Sequence, residues 1–107
     1  MEIQEISVDE LQGLLPNIVL IDVRETDEYL SGHVPGSISV PLSTVQNNVE
    51  PFLSQKPTYV ICQVGGRSMR ACEFAEQNGA LCITVAGGTG AWIQSGFDVV
   101  LGELPSA

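Results

Sequence analysis

The sequence predicts an α/β fold: a mostly parallel sheet of about five strands with helices on both faces, in three layers. Three observations carry that expectation. Short apolar runs rich in β-branched residues alternate with amphipathic segments along the chain. Glycine, proline and asparagine punctuate it about every 10 to 15 residues, as a strand–helix alternation requires. The runs Ile18–Ile21 and Leu81–Val85 are mostly apolar rather than alternating, the signature of strands covered on both faces. The 107 residues suit a single domain, 1–107, with a motif-bearing core at about 7–102. A chain of this size buries roughly two-thirds of its unfolded surface and needs no staple to fold.

Taken in order, Ile3–Ile6 is a short strand candidate. Ser7 and Glu10 have capping-box spacing, and Leu11, Leu14 and Leu15 follow at helical period until Pro16-Asn17. Strand Ile18–Ile21 runs into Asp22-Val23-Arg24. Thr26 is placed to cap a short helix through Tyr29, closed by Gly32. Ser37–Val40 alternates like a strand. Ser43 and Gln46 repeat the capping-box spacing, and Val45, Val49, Phe52 and Leu53 mark one apolar side of a helix that Pro51 interrupts. Thr58–Cys62 is a strand, and Gln63 to Gly66 a tight glycine loop. Ser68–Asn78 reads as a helix ended by Gly79, with Ala71, Phe74 and Ala75 on one face, Cys72 on its flank, and Arg70, Glu73 and Gln77 opposite. Leu81–Val85 is a buried strand, Gly87-Gly88 a turn, and Gly90–Ser95 a short helix around Trp92. Phe97–Leu101 extends away.

Four Lys and Arg face 13 Asp and Glu, a formal charge of −9. That field repels nucleic acid and anionic membranes, so neither is an expected partner. No apolar run approaches the roughly 18 residues of a membrane span. Met1–Glu5 has no basic region leading into an apolar one, so the cytoplasm is the expected location. The cysteines, Cys62, Cys72 and Cys82, are odd in number and lack zinc spacing, which argues against a disulfide framework or structural metal.

Chemistry concentrates in Cys62-Gln63-Val64-Gly65-Gly66-Arg67-Ser68. A cysteine ends a strand, two glycines let the backbone curl, and an arginine opens a helix. Successive amides in such a loop form an anion nest, and the helix adds its unpaired N–H groups and positive dipole end. A thiol there ionises below the free value of about 8.5. A cysteine that merely fills a core needs neither a nest nor a guanidinium nearby. Cys72 and Cys82, on a helix side and within a strand, read as such core residues. Open α/β sheets place their sites beyond the strands' carboxyl ends, where Asp22-Val23-Arg24, Cys62–Arg67 and Ala86-Gly87-Gly88 all fall.

The sequence resembles a single-domain rhodanese, of the rhodanese-like (thiosulfate sulfurtransferase) family. Three segments match in order: Ile21–Glu25 through Glu28-Tyr29, Gly32–Gly36 and Pro41-Leu42; Cys62–Ser68 with its helix; and Gly87–Trp92 with Gly96. The resemblance implies a rhodanese-like fold. It implies that Cys62 takes the outer sulfur of thiosulfate as a persulfide and passes it to cyanide or a thiol, in two-step covalent catalysis. Gln63, Val64, Gly65, Gly66, Arg67 and Ser68 are then the binding loop, with Arg67 helping to hold the anionic donor. No metal or organic cofactor is implied. Expected partners are a small sulfur-containing anion, a thiol acceptor, and a protein that donates or accepts sulfur. The position after the cysteine, often basic in the family, is here Gln63.

Asp22 and Arg24 are candidates for the site rim, or for a structural ion pair in which Arg24 bridges to Asp22, Asp27 or Glu28. His33 lies in a turn motif and is expected to be structural. Trp92, Tyr29 and Phe52 read as core. Glu2, Glu5, Asp9, Glu10, Glu73 and Glu76 read as solvated faces. Two other functions compete. A phosphatase or arsenate reductase on this fold needs five residues between cysteine and arginine; here there are four, Gln63 to Gly66. A regulatory or carrier module is compatible with the loop, provided the persulfide forms without efficient thiosulfate turnover.

Overall fold

The computed structural model describes residues 3–106; Met1, Glu2 and Ala107 lie outside the described residues, and with them the solvated reading of Glu2 and the charge reading of the first two residues. Five strands form one parallel sheet: β1 Gln4–Ile6, β2 Leu20–Asp22, β3 Ile38–Ser39, β4 Thr58–Ile61 and β5 Cys82–Val85. Their spatial order is β1-β5-β4-β2-β3. Three α-helices lie between strands, α1 Val8–Leu14, α2 Thr26–Leu30 and α3 Gly66–Gln77, and a fourth, α4 Gly88–Gln94, follows β5.

Strand alternation splits the core in two. Ile21, Val23, Val60, Cys62 and Cys82 face α3, where Ala71, Cys72 and Ala75 meet them with Val45 and Phe52. Leu20, Ile61, Ile83 and Val85 face the other way, onto Val8 and Leu11 of α1 and Trp92 of α4. The sheet therefore has helices on both faces, as expected. Each fully buried Leu, Ile or Val contributes roughly 1.5–3 kcal/mol of transfer free energy. Tyr29, Phe52 and Trp92 are all in the interior.

Several boundaries differ from the sequence expectation. β2 and β5 begin late, because Val19 and Leu81 are exposed on the approaches to the sheet. The predicted helix after Ser43 is two 3-10 segments, Leu42–Asn47 and Glu50–Phe52. Asn48 leaves helical geometry between them, and Pro51 sits in the second. Ser43 does not cap: its hydroxyl donates to Glu25 Oε1 at 2.9 Å. Thr26 begins α2 and Glu25 is the cap, its amide donating to Glu28 Oε1 at 3.1 Å. In α3 Cys72 is wholly buried while Phe74 is only half-buried. Glu76 is also half-buried rather than solvated. The Ser7–Glu10 capping box forms as expected.

The chain leaves β4 toward β5 and leaves β2 toward β3, on opposite sides. The connections that leave the carboxyl ends of β4 and β2 therefore diverge, which opens the crevice where α/β sheets place their ligands. Asp22 is in register with Ile61, so at that crevice Val23 comes level with Cys62 and Arg24 with Gln63.

Candidate active site

Cys62 follows β4 and is 1% exposed. The chain then turns through Gln63 and Val64 to Gly65, the residue before α3, at φ +118°. L side chains rarely adopt that angle, so the glycine permits the curl. Helix α3 begins at Gly66, two residues earlier than predicted, and takes Arg67 and Ser68 into its first turn. The first-turn amides have no acceptor within the helix and remain available to the loop.

The Gly65 amide donates to Cys62 Sγ at 3.0 Å. Ser68 Oγ lies 3.5 Å from the same sulfur, 3.1 Å from the Gly65 carbonyl oxygen and 2.6 Å from Thr84 Oγ1. Among the described residues Thr84 Oγ1 has only Ser68 as a hydrogen-bond partner. When Thr84 donates to Ser68, no buried hydroxyl proton is wasted, and the Ser68 proton is free for Gly65 or for a thiolate. Burial pushes the Cys62 thiol up. The Ser68 hydroxyl and the amides of Ser68, Gly65 and Val64 outweigh it and hold the thiol below its ordinary value. Cys72 is the contrast: a hydrogen bond with Cys82, together with burial, keeps its thiol protonated.

The back of the loop is held by α4. The Thr89 amide donates to the Cys62 carbonyl at 2.8 Å and the Gly90 amide to the Gln63 carbonyl at 3.0 Å. With those carbonyls turned toward α4, the loop amides are left for the sulfur. The approach is possible because Gly88 has no side chain: a Cβ there would lie 2.2 Å from the Cys62 oxygen. The GG turn recognised in the sequence is thus a clamp on the cysteine loop. That role was not legible beforehand, because it depends on contacts between segments distant in sequence. Thr84 was missed for the same reason.

The charged rim is tied up. Arg24 and Asp22 form a buried ion pair, Nη2 to Oδ2 at 3.0 Å. Arg24 also donates to the Gly32 carbonyl at 2.7 Å and to Gln63 Oε1 at 3.2 Å. The structural pairing expected of Asp22 and Arg24 is therefore present, and Arg24 reaches the loop through Gln63. Arg67 turns to Glu28 in a two-pronged pair, Nη1–Oε1 at 2.6 Å and Nη2–Oε2 at 2.9 Å. That bond, first among the causes, brings the Glu28 carboxyl down to about 2. Glu28 was weighed as a partner of Arg24; the structure gives it to Arg67 instead. Val64 stands at the loop tip, 75% exposed.

His33 is buried, stacks on Tyr29 with ring centroids 3.7 Å apart, and contacts the Tyr29 and Leu104 carbonyls at 2.8 Å each. Both ring nitrogens are thereby engaged away from Cys62, which fits the structural role expected of it. Among the described residues no group of three or more His, Cys, Asp or Glu is placed to hold a metal ion. No helix among them is long and apolar enough to cross a membrane.

The arrangement sets the acidified Cys62 thiol against the Gly65 amide and the Ser68 hydroxyl, donors suited to an anionic sulfur. Comparison with known proteins identifies the family. Residues 7–95 match the model of the rhodanese-like domain. The chain is 33% identical over 95 residues to "Putative sulfurtransferase YtwF" of Bacillus subtilis (strain 168), covering 86% of this chain and 92% of that protein. It superposes on a rhodanese-related protein from Thermoplasma volcanium with a TM-score of 0.85, at 34% identity, covering 92% of this chain and 98% of the other. A rhodanese-like domain protein from Staphylococcus aureus gives a TM-score of 0.79 at 31% identity, covering 84% and 91%. Cysteine, loop and glycine clamp all lie within the matched residues 7–95, and the chain belongs to the rhodanese-like domain family.

Proposed function

We propose that the protein moves sulfane sulfur through a persulfide on Cys62. The observation that carries this is the Gly65 amide aimed at Cys62 Sγ at 3.0 Å, with the Ser68 hydroxyl beside it. The same donors that stabilise a thiolate stabilise the terminal sulfur of a persulfide. With thiosulfate, the Cys62 thiolate attacks the outer sulfur. A Cys–S–S⁻ bond forms, the sulfur–sulfur bond of the donor breaks, and sulfite leaves with the electron pair. Cyanide then attacks the terminal sulfur, thiocyanate departs, and the thiolate returns. A persulfide donor R–S–SH delivers its sulfur by the same exchange and leaves as a thiolate. Gln63, Val64, Gly65, Gly66, Arg67 and Ser68 form the binding loop, and Asp22 and Arg24 brace its rim through Gln63. No cofactor takes part. Three free cysteines suit a reducing compartment, in keeping with the cytoplasmic setting expected from the sequence.

A carrier role, loaded and drained by protein partners, is the second reading. The pairing of Arg67 with Glu28 favours it, because the one guanidinium within the Cys62–Ser68 loop is then not free to draw in an anionic donor. Steady-state kinetics with thiosulfate and cyanide test the enzymatic reading. Parallel double-reciprocal lines that vanish in Cys62→Ser support covalent ping-pong transfer. Intersecting lines, or activity surviving in Cys62→Ser, contradict it. Stable persulfide formation with slow thiosulfate turnover favours the carrier.

A further inference from the structure

We propose, on the sulfur-transfer reading above, that Glu28 determines which donor the site accepts: by holding Arg67 it selects against a free dianion and for a persulfide borne on a thiol. Arg67 is the only arginine within the Cys62–Ser68 loop, and both its terminal nitrogens are engaged, at 2.6 and 2.9 Å, by the two oxygens of one carboxylate. Glu28 is fixed as well, since its Oε1 accepts the Glu25 amide at 3.1 Å. With its carboxyl at about 2, Glu28 is ionised throughout the physiological range.

The neighbouring charges do not compensate. Arg24 is neutralised by Asp22, and the side chain it reaches in the loop is the neutral Gln63. Arg70 is exposed and lines a groove with Ser43 and Gln46, on the flank of α3 facing the 3-10 segment. Among the described residues the mouth therefore offers amides and a helix end, and both guanidiniums at it are held by carboxylates. A doubly charged donor finds no unpaired guanidinium there, either on entry or when its dianionic sulfite departs. A persulfide on a thiol carries at most one charge at the reacting sulfur and leaves a single thiolate. A freed guanidinium bonds a dianion more strongly than it does a singly charged or neutral persulfide, so removal of the Glu28 charge is expected to show as a specificity change of at least about tenfold.

Glu28→Gln tests this, because the amide retains an oxygen for the Glu25 N–H and releases Arg67. The readout is the ratio of kcat/KM for thiosulfate to that for cysteine persulfide, with cyanide as acceptor. The ratio is expected to rise at least about tenfold, and to fall back in Glu28→Gln/Arg67→Gln. The Cys62 thiol should also titrate lower in the single variant, since the positive charge of Arg67 is then no longer offset by Glu28. A ratio that stays level or falls in a folded Glu28→Gln protein overturns the assignment. So does a rise that persists without Arg67. Failure of the sulfur-transfer reading is distinct: the wild type then takes sulfur from neither donor, and the assignment falls with it.

Discussion

Ser68 is the side chain on which the acidity of Cys62 most depends, and Ser68→Ala isolates its share. Its hydroxyl lies 3.5 Å from the sulfur and 2.6 Å from Thr84 Oγ1. A hydrogen bond to a charged group is worth about 1.5–3 kcal/mol net. Sulfur is a weak, diffuse acceptor and the contact is long, so the low end applies. At 1.36 kcal/mol per pKa unit this is a rise of about one unit in the Cys62 thiol. The amides of Gly65, Val64 and Ser68 remain, which sets the ceiling. The assay is the pH dependence of alkylation by iodoacetamide, with Cys62 followed by peptide mass. Stability gives a second reading. Ser68→Ala strands the buried Thr84 hydroxyl, at a cost of about 1–3 kcal/mol in denaturant unfolding. Adding Thr84→Val removes the stranded group and should recover most of that stability while leaving the thiol raised. A thiol that titrates at the wild-type value in Ser68→Ala refutes the role given to the hydroxyl. A double variant no more stable than the single one refutes the proton accounting.

Gly88→Ala should cost about 3 kcal/mol, because a Cβ would lie 2.2 Å from the Cys62 oxygen and 2.7 Å from Gln63 backbone atoms. Gly36→Ala is the control: its φ is also positive, but the space is open, so only about 1 kcal/mol is expected. Equal costs in thermal or denaturant unfolding would refute the clamp. Glu28 is ionised in the fold down to about 2, against 4.5 for the free group. The stability its charge adds is therefore complete above about 4.5 and is lost as pH falls toward about 2. With both partners about one-third exposed, that gain is only about 1 kcal/mol. The stability gap between wild type and Glu28→Gln should be constant at neutral pH and shrink toward pH 3; a gap that widens on acidification contradicts the pairing. With four residues rather than five between Cys62 and Arg67, aryl phosphate hydrolysis should not exceed that of Cys62→Ser. Cysteine-dependent hydrolysis would overturn the ring-size reasoning.

The parts legible in the sequence were those whose cause is local. The capping box at Ser7 and Glu10 forms because both partners lie three residues apart. The glycine loop after Thr58–Cys62 was legible because only a tight curl uses two glycines between a strand and a helix. The approaches at Val19 and Leu81 were misjudged because their apolar character continues past the point where the sheet covers them. Ser43 resembles a cap by spacing but is claimed by Glu25 from another element. At the site, Cys62, the loop amides and Ser68 were apparent, and the groups that hold them in place from other segments were not. Thr84, Glu28 and the α4 amides reach the loop from distant segments, and charge alone could not decide which carboxylate Arg67 or Arg24 would take.

The central claim is that Cys62 carries the transferred sulfur. Intact-protein mass spectrometry after brief exposure to thiosulfate, and separately to cysteine persulfide, tests it most directly, with wild type beside Cys62→Ser and cyanide added last. The expected result is a gain of one sulfur atom on wild type alone, from at least one donor, and its loss to cyanide. No gain from either donor, or an equal gain on Cys62→Ser, would contradict the claim.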